Sequence, residues 1–549
     1  MAPIIRICSA AFCTLLIASA GFAKPAPPSP LAYYVAGRAA EAQGDPQAAA
    51  SAYAALLLAT PGDVKVAQRA YQQALTAGDQ KLALRAAQIL AKNEGSPPEA
   101  RLLLYVEAIK HNDWRGARQI VDAIEAQNSF DFIVPTLRAW ITFAARDGDP
   151  LALLVTRQAN SLSATYSREH RALLLLAVKN IPDGIAAVKV LGTPDDRGRS
   201  LRLAAAAQLA GLKRKQEALA LLVGDDAETN AAKSAIAAGR PLSGAVNRIE
   251  AASSILFGRI AADLQRERES PIVLKLARIA SFAGPWREET KIILAQALST
   301  NGRRAEALTL LDSLPAASPL RAAASGLRTS ILLDARDYPA ALALAKTLSE
   351  SENARDIDYV RLGDVYVQME RFGDAASTYD RAIKFLDTGG GTGASWQLWL
   401  RLGSALDQAK DWPRAEVALQ KALALAPNQP SILNQLGYSM IERSENLPEA
   451  IRLITKASSL LPNDPQITDS LGWALFKNGQ TDEAITILER AVIGEPGEAV
   501  IGEHLGDAYW TAGRTVDARY AWRAALVQAE SGDAERIAAK VANGLPVAR

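Results

Sequence analysis

Apolar side chains recur along this chain every three or four residues, which is the period of an amphipathic helix. The stretch ITDSLGWALFKNGQTDEAITILERAV, residues 467–492, predicts two such helices separated by a short turn at Lys477-Asn478-Gly479. Between about 150 and 270 the pattern is harder to follow, but no alternating run of Val, Ile and Thr indicates a strand. The pattern predicts an all-α protein built from pairs of helices.

The hydrophobic pattern repeats with a nearly fixed length in the C-terminal part of the chain. Each repeat is anchored by a glycine that directly follows a leucine. The five anchors are Gly363, Gly403, Gly437, Gly472 and Gly506. After Gly472, alanine stands twelve residues on, a bulky side chain sixteen on and alanine nineteen on, at Ala484, Leu488 and Ala491. The other anchors are followed by the same residue types at these distances, apart from one extra residue after Gly437.

The repeat length and its small residues have a mechanical explanation. Glycine and alanine let two helix backbones approach closely where they cross, and the larger residues fill the space beside them. The anchors are 40, 34, 35 and 34 residues apart, and a glycine-rich insert at 388–393 explains the longer first interval. The pattern resembles the tetratricopeptide repeat, a helix–turn–helix unit of 34 residues. The resemblance implies a right-handed superhelical solenoid with five clear units at 356–530.

The rest of the chain follows the same pattern with more exceptions. Turns such as Gly44-Asp45-Pro46 and Asn301-Gly302-Arg303 separate further helix pairs. We expect divergent repeats over 31–270, degenerate repeats over 271–350, and a capping helix with a short tail over 531–549. One unit cannot bury its own apolar face, so stacking must supply the missing surface.

The N-terminus is typical of a secreted protein. Arg6 precedes an apolar run that ends near Ile17, and small residues follow up to Ala23. This predicts a signal peptide over 1–23 and a Pro-rich leader over 24–30; the alternative is an anchor that is kept in the membrane. A lipid anchor is not expected, because bulky Phe12 stands before Cys13 where a small residue is needed. Both cysteines, Cys8 and Cys13, lie within the predicted signal peptide, so the mature chain would have no thiol and no transmembrane helix.

Composition and motifs argue against catalysis. The net charge is +2, which offers no broad basic surface for nucleic acid. The three histidines, His111, His170 and His504, are too far apart in sequence for one extended array to bring them together. The glycine-rich insert lacks the Lys-Ser/Thr pair of a phosphate-binding loop, and no G-x-S-x-G or H-E-x-x-H motif is present. We therefore expect no enzyme activity, no cofactor and no metal.

A binding surface follows from the resemblance instead. In tetratricopeptide repeats the first helix of each unit faces a concave groove, with side chains three before, one after and four after the anchor glycine. In the last three units these are aromatic, amide and acidic residues. The candidate protein-binding residues are Asn434, Tyr438, Asp469, Trp473, Phe476, Glu503, Asp507 and Trp510.

These groove residues carry two interpretations. Exposed aromatic rings would hold apolar side chains of a partner, while Asn434 and Asp469 would bond its backbone. Alternatively, some of the rings pack against neighbouring helices. The set contains no lysine–arginine cluster, so we predict that a ligand is not recognised mainly through a free C-terminus.

Residues 432–527 carry a narrower resemblance. The phrases Leu436-Gly437-Tyr438-Ser439, Asp469-Ser470-Leu471-Gly472-Trp473 and His504-Leu505-Gly506-Asp507 resemble those of bacterial envelope repeat proteins. One such protein is a lipoprotein adaptor of a periplasmic carboxyl-terminal processing protease. The resemblance implies a periplasmic adaptor, associated with the outer membrane, whose partners are the protease and cell-wall hydrolases. The missing lipidation cysteine puts the anchoring in doubt. The alternative is a structural scaffold of an envelope or polysaccharide-export assembly.

Overall fold

The computed structural model describes residues 28–93, 96–154, 162–193, 195–224, 226–267, 271–351, 354–388, 393–529 and 531–545. The predicted signal peptide, most of the leader, most of the glycine-rich insert and the last four residues lie outside this part. Within it the chain forms 29 α-helices, two short 3-10 helices and no strand, which confirms the all-α prediction. None of the described helices has both the length and the apolar character that a bilayer-spanning segment requires.

The chain divides into two compact units, which meet in sequence at Leu320 and Arg321. The segment predicted as degenerate repeats, 271–350, is therefore shared between them. The helices of the N-terminal unit are α1 Pro30–Ala42, α2 Pro46–Ala59, α3 Val64–Ala77, α4 Gln80–Leu90, α5 Pro98–Lys110, α6 Trp114–Gln127, α7 Val134–Ala145, α8 Leu162–Ala177, α9 Ile181–Leu191, α10 Asp196–Gly211, α11 Lys215–Leu221, α12 Ala227–Ala237, α13 Ile249–Glu267, α14 Pro271–Ala283, α15 Glu288–Thr300 and α16 Arg304–Asp312.

The C-terminal unit continues with helices of more uniform length. They are α17 Arg321–Asp334, α18 Tyr338–Ser349, α19 Asp356–Gln368, α20 Phe372–Thr388, α21 Trp396–Gln408, α22 Trp412–Leu425, α23 Pro430–Glu442, α24 Leu447–Leu460, α25 Pro465–Lys477, α26 Thr481–Gly494, α27 Ala499–Thr511, α28 Thr515–Gln528 and α29 Ser531–Asn543. Consecutive helices from α19 to α28 pair as five antiparallel hairpins, one for each anchor glycine.

The hairpins of the C-terminal unit are held together at the anchor glycines. A Cβ atom at Gly403, Gly437 or Gly472 would lie 2.6 Å from the bulky side chain sixteen positions on, or seventeen after Gly437. These partners are Leu419, Ile454 and Leu488. At such a distance even a methyl group would force the neighbouring side chain to move, so the pattern of small and bulky residues sets how closely the helices pack. The first hairpin of the N-terminal unit uses the same device, because a Cβ at Gly37 would meet the Tyr53 ring at 2.8 Å.

The turn inside each of these five hairpins has a residue in the left-handed region, seven positions after the anchor. Glycine supplies it at Gly479 and Gly513, with φ of 83° and 79°. Glu370, Lys410 and Ser444 adopt the same conformation with φ of 56°, 64° and 54°. The turn geometry is therefore imposed by the packed hairpin even where the residue itself disfavours it.

The N-terminal unit folds back on itself. Helices α13 and α14 pack against the first helices of earlier hairpins, α3, α5 and α7. Lys275 of α14 pairs with Glu99 of α5 at 2.7 Å, and Arg303 donates to the Thr76 carbonyl of α3 at 2.8 Å. The Tyr105 and Phe257 rings meet edge to face at 6.3 Å. Residues up to 227 positions apart are thus in contact, so the expectation that distant residues stay apart, as in one extended array, is wrong for this unit.

Helix α29 covers the last hairpin of the C-terminal unit. Ile537 is fully buried against Trp522, and Val541 and Leu545 pack around the same cluster. Arg536 and Lys540 pair with acidic residues of α27 that lie 33 positions earlier. Because this separation is close to the repeat length, α29 occupies the place that the first helix of a further repeat would take.

Candidate functional site

Three of the predicted groove residues form a packed core between α25 and α27 rather than an open surface. The Trp473 indole stacks on the His504 ring at 4.0 Å and on the Phe476 ring at 5.1 Å. Its Nε1 donates to Glu442 at 2.6 Å. His504 Nδ1 lies 3.0 Å from both carboxylate oxygens of Asp469. Asp469 and Trp473 are only 5% and 7% exposed, so both are already occupied by contacts within the unit.

The two predicted acids of α27 are neutralised by α29. Lys540 Nζ lies 2.6 Å from both Glu503 and Asp507, and Arg536 also pairs with Glu503. Asp507 accepts a further hydrogen bond from Trp522 Nε1 at 2.9 Å. Burial raises the pKa of Asp507, and the ammonium of Lys540 acts against that rise. Both carboxylates are buried, so a partner could reach them only if α29 moved.

Asp469, Trp473, Glu503 and Asp507 are therefore buried in this structure. Phe476 is half-buried in contact with its neighbours. Trp510 is half-buried beside Trp522, with ring centroids 5.5 Å apart. The packing interpretation accounts for these rings. A binding role for these residues stays a prediction.

The remaining two predicted residues are partly accessible. Tyr438 lines a cavity on the inner face of α23, and burial together with the nearby carboxylates of Glu442 and Asp469 raises its pKa. Asn434 is half-buried, and its Oδ1 is a buried oxygen without a hydrogen-bond partner. Because this oxygen is buried, a ligand cannot reach it in this arrangement. Of the predicted set, Tyr438 is the residue that lines a cavity.

The accessible part of the inner face lies at the other end of the C-terminal unit. Three cavities follow one another from α17 to α23, with volumes of about 510, 500 and 370 Å³. The first two share the lining residues Asp364 and Val367, and the last two share Gln408, so the three cavities are neighbours along the unit. We call this row of cavities the open groove.

The side chains of the open groove divide by polarity. The middle cavity has an apolar floor made by Val367, Phe372, Leu400 and Ala405, with Trp396 at its edge. Polar residues dominate the first cavity, which includes Ser330 and Gln368, and the third, which includes Gln408 and Ser439. The groove thus presents an apolar centre between two polar ends.

Two carboxylates of the open groove are paired with arginines of the same groove. Asp364 accepts from the Tyr379 hydroxyl at 2.6 Å and from Arg401 Nε at 3.1 Å. Asp407 accepts from Ser439 at 2.5 Å and pairs with Arg443. These two carboxylates are therefore already paired within the protein and do not form an unpaired acidic surface that would attract a cation.

The binding residues predicted from the sequence do not include this part of the groove, although its residues stand at the same distances from their anchor glycines. Asp364 and Ser404 stand one residue after their anchors, Leu400 three before and Val367 four after. The binding residues were predicted in the last three units because aromatic side chains, which are common at binding sites, occupy the groove positions there. The pattern could not tell that those rings are packed away.

Other titratable groups have local structural roles. His170 is buried and accepts from Trp140 Nε1 at 3.0 Å; burial, with nearby arginines, lowers its pKa to about 3. His111 is exposed directly after the end of α5. Among the residues that the structure describes, no cluster of three or more His, Cys, Asp or Glu side chains is arranged to hold a metal ion.

The geometry thus defines a helical-repeat protein built from stacked antiparallel hairpins. The model of the tetratricopeptide repeat family matches residues 360–430, from α19 to the start of α23, and residues 470–534, from α25 to the start of α29. The C-terminal unit therefore contains tetratricopeptide repeats, and the predicted fold class, an all-α solenoid of such repeats, is confirmed. This class supports a protein-binding scaffold.

Solved structures resemble the chain at low identity. The hetero-tetramer Cut9–Hcn1 of the APC/C is 15% identical over 95% of this chain and 97% of that chain, with a TM-score of 0.39. MamA from Desulfovibrio magneticus RS-1 is 17% identical over 32% of this chain and 97% of its own, with a TM-score of 0.27. A thermophilic TPR protein of Thermus thermophilus is 20% identical over 34% of this chain and 99% of its own, with a TM-score of 0.30. These TM-scores are low, so the likenesses carry no information about function. No curated protein matches the chain.

Proposed function

We propose that this protein is a non-catalytic scaffold that holds a segment of a partner protein in the open groove of its C-terminal unit. The observation that carries the proposal is the contrast between the two units. In the N-terminal unit α13 and α14 pack on α3, α5 and α7, the first helices of earlier hairpins, whereas in the C-terminal unit three neighbouring cavities lie along α17 to α23. A concave surface of stacked hairpins is what repeat proteins use for binding.

Site-specific photo-crosslinking tests this proposal. A benzoylphenylalanine placed at Leu400, in the middle cavity, should capture a defined partner that mass spectrometry identifies. The same residue placed at Leu425, an exposed position at the end of α22, is the matched control. We expect the purified partner to bind the intact protein, with crosslinks at position 400 and none at 425. Equal crosslinking at both positions, or none at 400, would contradict the proposal.

For the location we propose the bacterial periplasm. The support is the charged, apolar and small-residue pattern of residues 1–23. N-terminal sequencing of the protein purified from its host should begin at Lys24, and fractionation should find it among periplasmic proteins. A chain that keeps residues 1–23 and stays in the cytoplasm would refute this location.

The identity of the partner separates two finer proposals. An adaptor would present cell-wall hydrolases to a carboxyl-terminal processing protease, as the resemblance of residues 432–527 implies. In that case the crosslinks at position 400 should contain the protease or a hydrolase, and deleting the gene should prolong the hydrolase's lifetime. Crosslinks to envelope or polysaccharide-export components, with hydrolase lifetimes unchanged, would support the structural scaffold instead.

A further inference from the structure

The charge of the open groove specifies the chemistry of its ligand. Four acidic side chains and four basic ones line the three cavities, so their formal charge is zero. The acids are Asp334, Asp364, Asp407 and Glu442, and the bases are Arg336, Arg401, Lys410 and Arg443. Such a groove would not attract a strongly basic or acidic segment over a neutral one.

The pairing of these groups strengthens this argument. Asp364 is held by Tyr379 and Arg401, and Asp407 by Ser439 and Arg443. Glu442 accepts from the Trp473 indole. A charged ligand would have to compete with these bonds, and displacing Arg443 would leave the buried Asp407 carboxylate without its ion-pair partner, which costs free energy.

The polarity of the cavities adds a second condition. The middle cavity offers Val367, Phe372 and Leu400 to an apolar side chain, while Gln397 and Gln408 stand at its edges. An apolar anchor in a pocket with a polar rim is the arrangement that concentrates binding energy in interfaces. The glutamine side chains can bond backbone amides on either side of such an anchor.

We infer that the open groove recognises an uncharged segment of a partner protein, in which one large apolar residue is flanked on both sides by neutral polar residues. This inference rests on the proposed function and names the chemistry of its partner. It also gives a reason for the predicted independence from a free C-terminus, because each arginine facing the middle or third cavity is already paired with an aspartate.

Selection from a random dodecapeptide phage library on the intact mature protein tests the inference. Selected sequences should share an apolar residue flanked by Ser, Thr, Asn or Gln and should be depleted in Asp, Glu, Lys and Arg. A selected sequence, synthesised with acetylated and amidated ends, should bind with a Kd that hardly changes between low and high salt. Replacing its apolar residue by serine should weaken binding at least about tenfold.

Variants of the groove give the controls. Leu400→Asp should abolish binding of the selected peptide, and the matched Leu425→Asp should leave it unchanged. Ser404→Phe, which fills the middle cavity without adding charge, should also weaken binding; circular dichroism confirms that each variant is folded.

Three results would overturn the inference: enrichment of charged sequences, a Kd that rises steeply with salt, and no enrichment at all. None of these results contradicts the capture of a partner by crosslinking at position 400, so the proposed function is tested by the crosslinking alone. If that crosslinking failed but peptide selection succeeded, the proposed function would be contradicted and the peptide chemistry inferred for the groove would be supported.

Discussion

At the scale of single residues, a buried histidine couples the N-terminal unit to pH. Removal from solvent, with the arginines around it, lowers the pKa of His170 to about 3, from about 6.5 in an unfolded chain. Between these values the unfolded state binds one more proton than the folded state. The stabilising contribution is therefore complete above about pH 6.5 and declines as the pH falls towards 3.

We expect protonation of His170 in the unfolded chain to lower the free energy of unfolding by about 1 kcal/mol when the pH is lowered from 7 to 5.5. Urea unfolding at both pH values, followed by tryptophan fluorescence, measures the loss. The variant His170→Gln keeps an acceptor for Trp140 Nε1 and should lose about 1 kcal/mol less on acidification than the natural chain. His111→Gln, at an exposed histidine, is the control and should behave like the natural chain; an identical pH response of all three proteins would refute the coupling.

A second residue-scale feature is the left-handed turn position. Glu370 holds φ of 56°, which is unfavourable for a side chain by about 1–2 kcal/mol. Glu370→Gly should therefore stabilise the C-terminal unit by about 0.5–1 kcal/mol, after the greater flexibility of glycine in the unfolded chain is subtracted. The reverse change, Gly479→Ala, should destabilise it. Urea midpoints of the two variants that shift in the same direction would contradict this account.

At the scale of helix pairs, the anchor glycine decides how closely a hairpin packs. A methyl group at position 472 would lie 2.6 Å from Leu488 Cγ and 3.3 Å from its backbone nitrogen. We expect Gly472→Ala to cost about 1–3 kcal/mol, because overpacking outweighs the better helix propensity of alanine. Thermal unfolding of the variant measures this loss.

The matched control for this prediction is Gly373→Ala, on the exposed face of α20. A Cβ there meets no atom within 4 Å, so this variant should be neutral or slightly stabilised. In a background with Leu488→Ala, the cost of Gly472→Ala should fall, since the clashing atoms are gone. A cost that is independent of residue 488 would show that the clash is not the cause.

At the scale of the whole molecule, the chain consists of two units that each have their own core. Contacts as distant as Thr76 with Arg303 close the N-terminal unit, and α29 covers the last hairpin of the C-terminal one. We expect residues 321–549 expressed alone to unfold cooperatively in urea, because each compact unit buries its own apolar faces. Residues 356–549, which lack the hairpin of α17 and α18, should be less stable. A 321–549 fragment without helical structure would contradict the division at Leu320.

The features of the fold that could be predicted from the sequence are those that depend on residues close together in the chain. The positions of Gly403, Leu419 and their equivalents follow from the hairpin itself, so the repeat length, the five C-terminal hairpins and their turns were predictable from spacing. Contacts such as Lys275 with Glu99 link residues 176 positions apart, and no periodicity encodes them. The same limit applies to the site. Trp473 and Leu400 both stand at groove positions of the repeat, and the spacing does not show that Trp473 is packed against a neighbouring helix while Leu400 lines a cavity.

By itself the sequence determined that this protein is all-α, that its helices pair around small residues, and that it carries tetratricopeptide repeats. These properties depend on interactions within about 34 residues, which spacing records directly. Only the tertiary structure decided which inner surfaces remain accessible. Helices α13 and α14 cover one set of first helices, α29 neutralises Glu503 and Asp507, and the groove from α17 to α23 stays open. The physical reason is that exposure depends on what the rest of the chain packs against a face, and residues far away in sequence supply that packing.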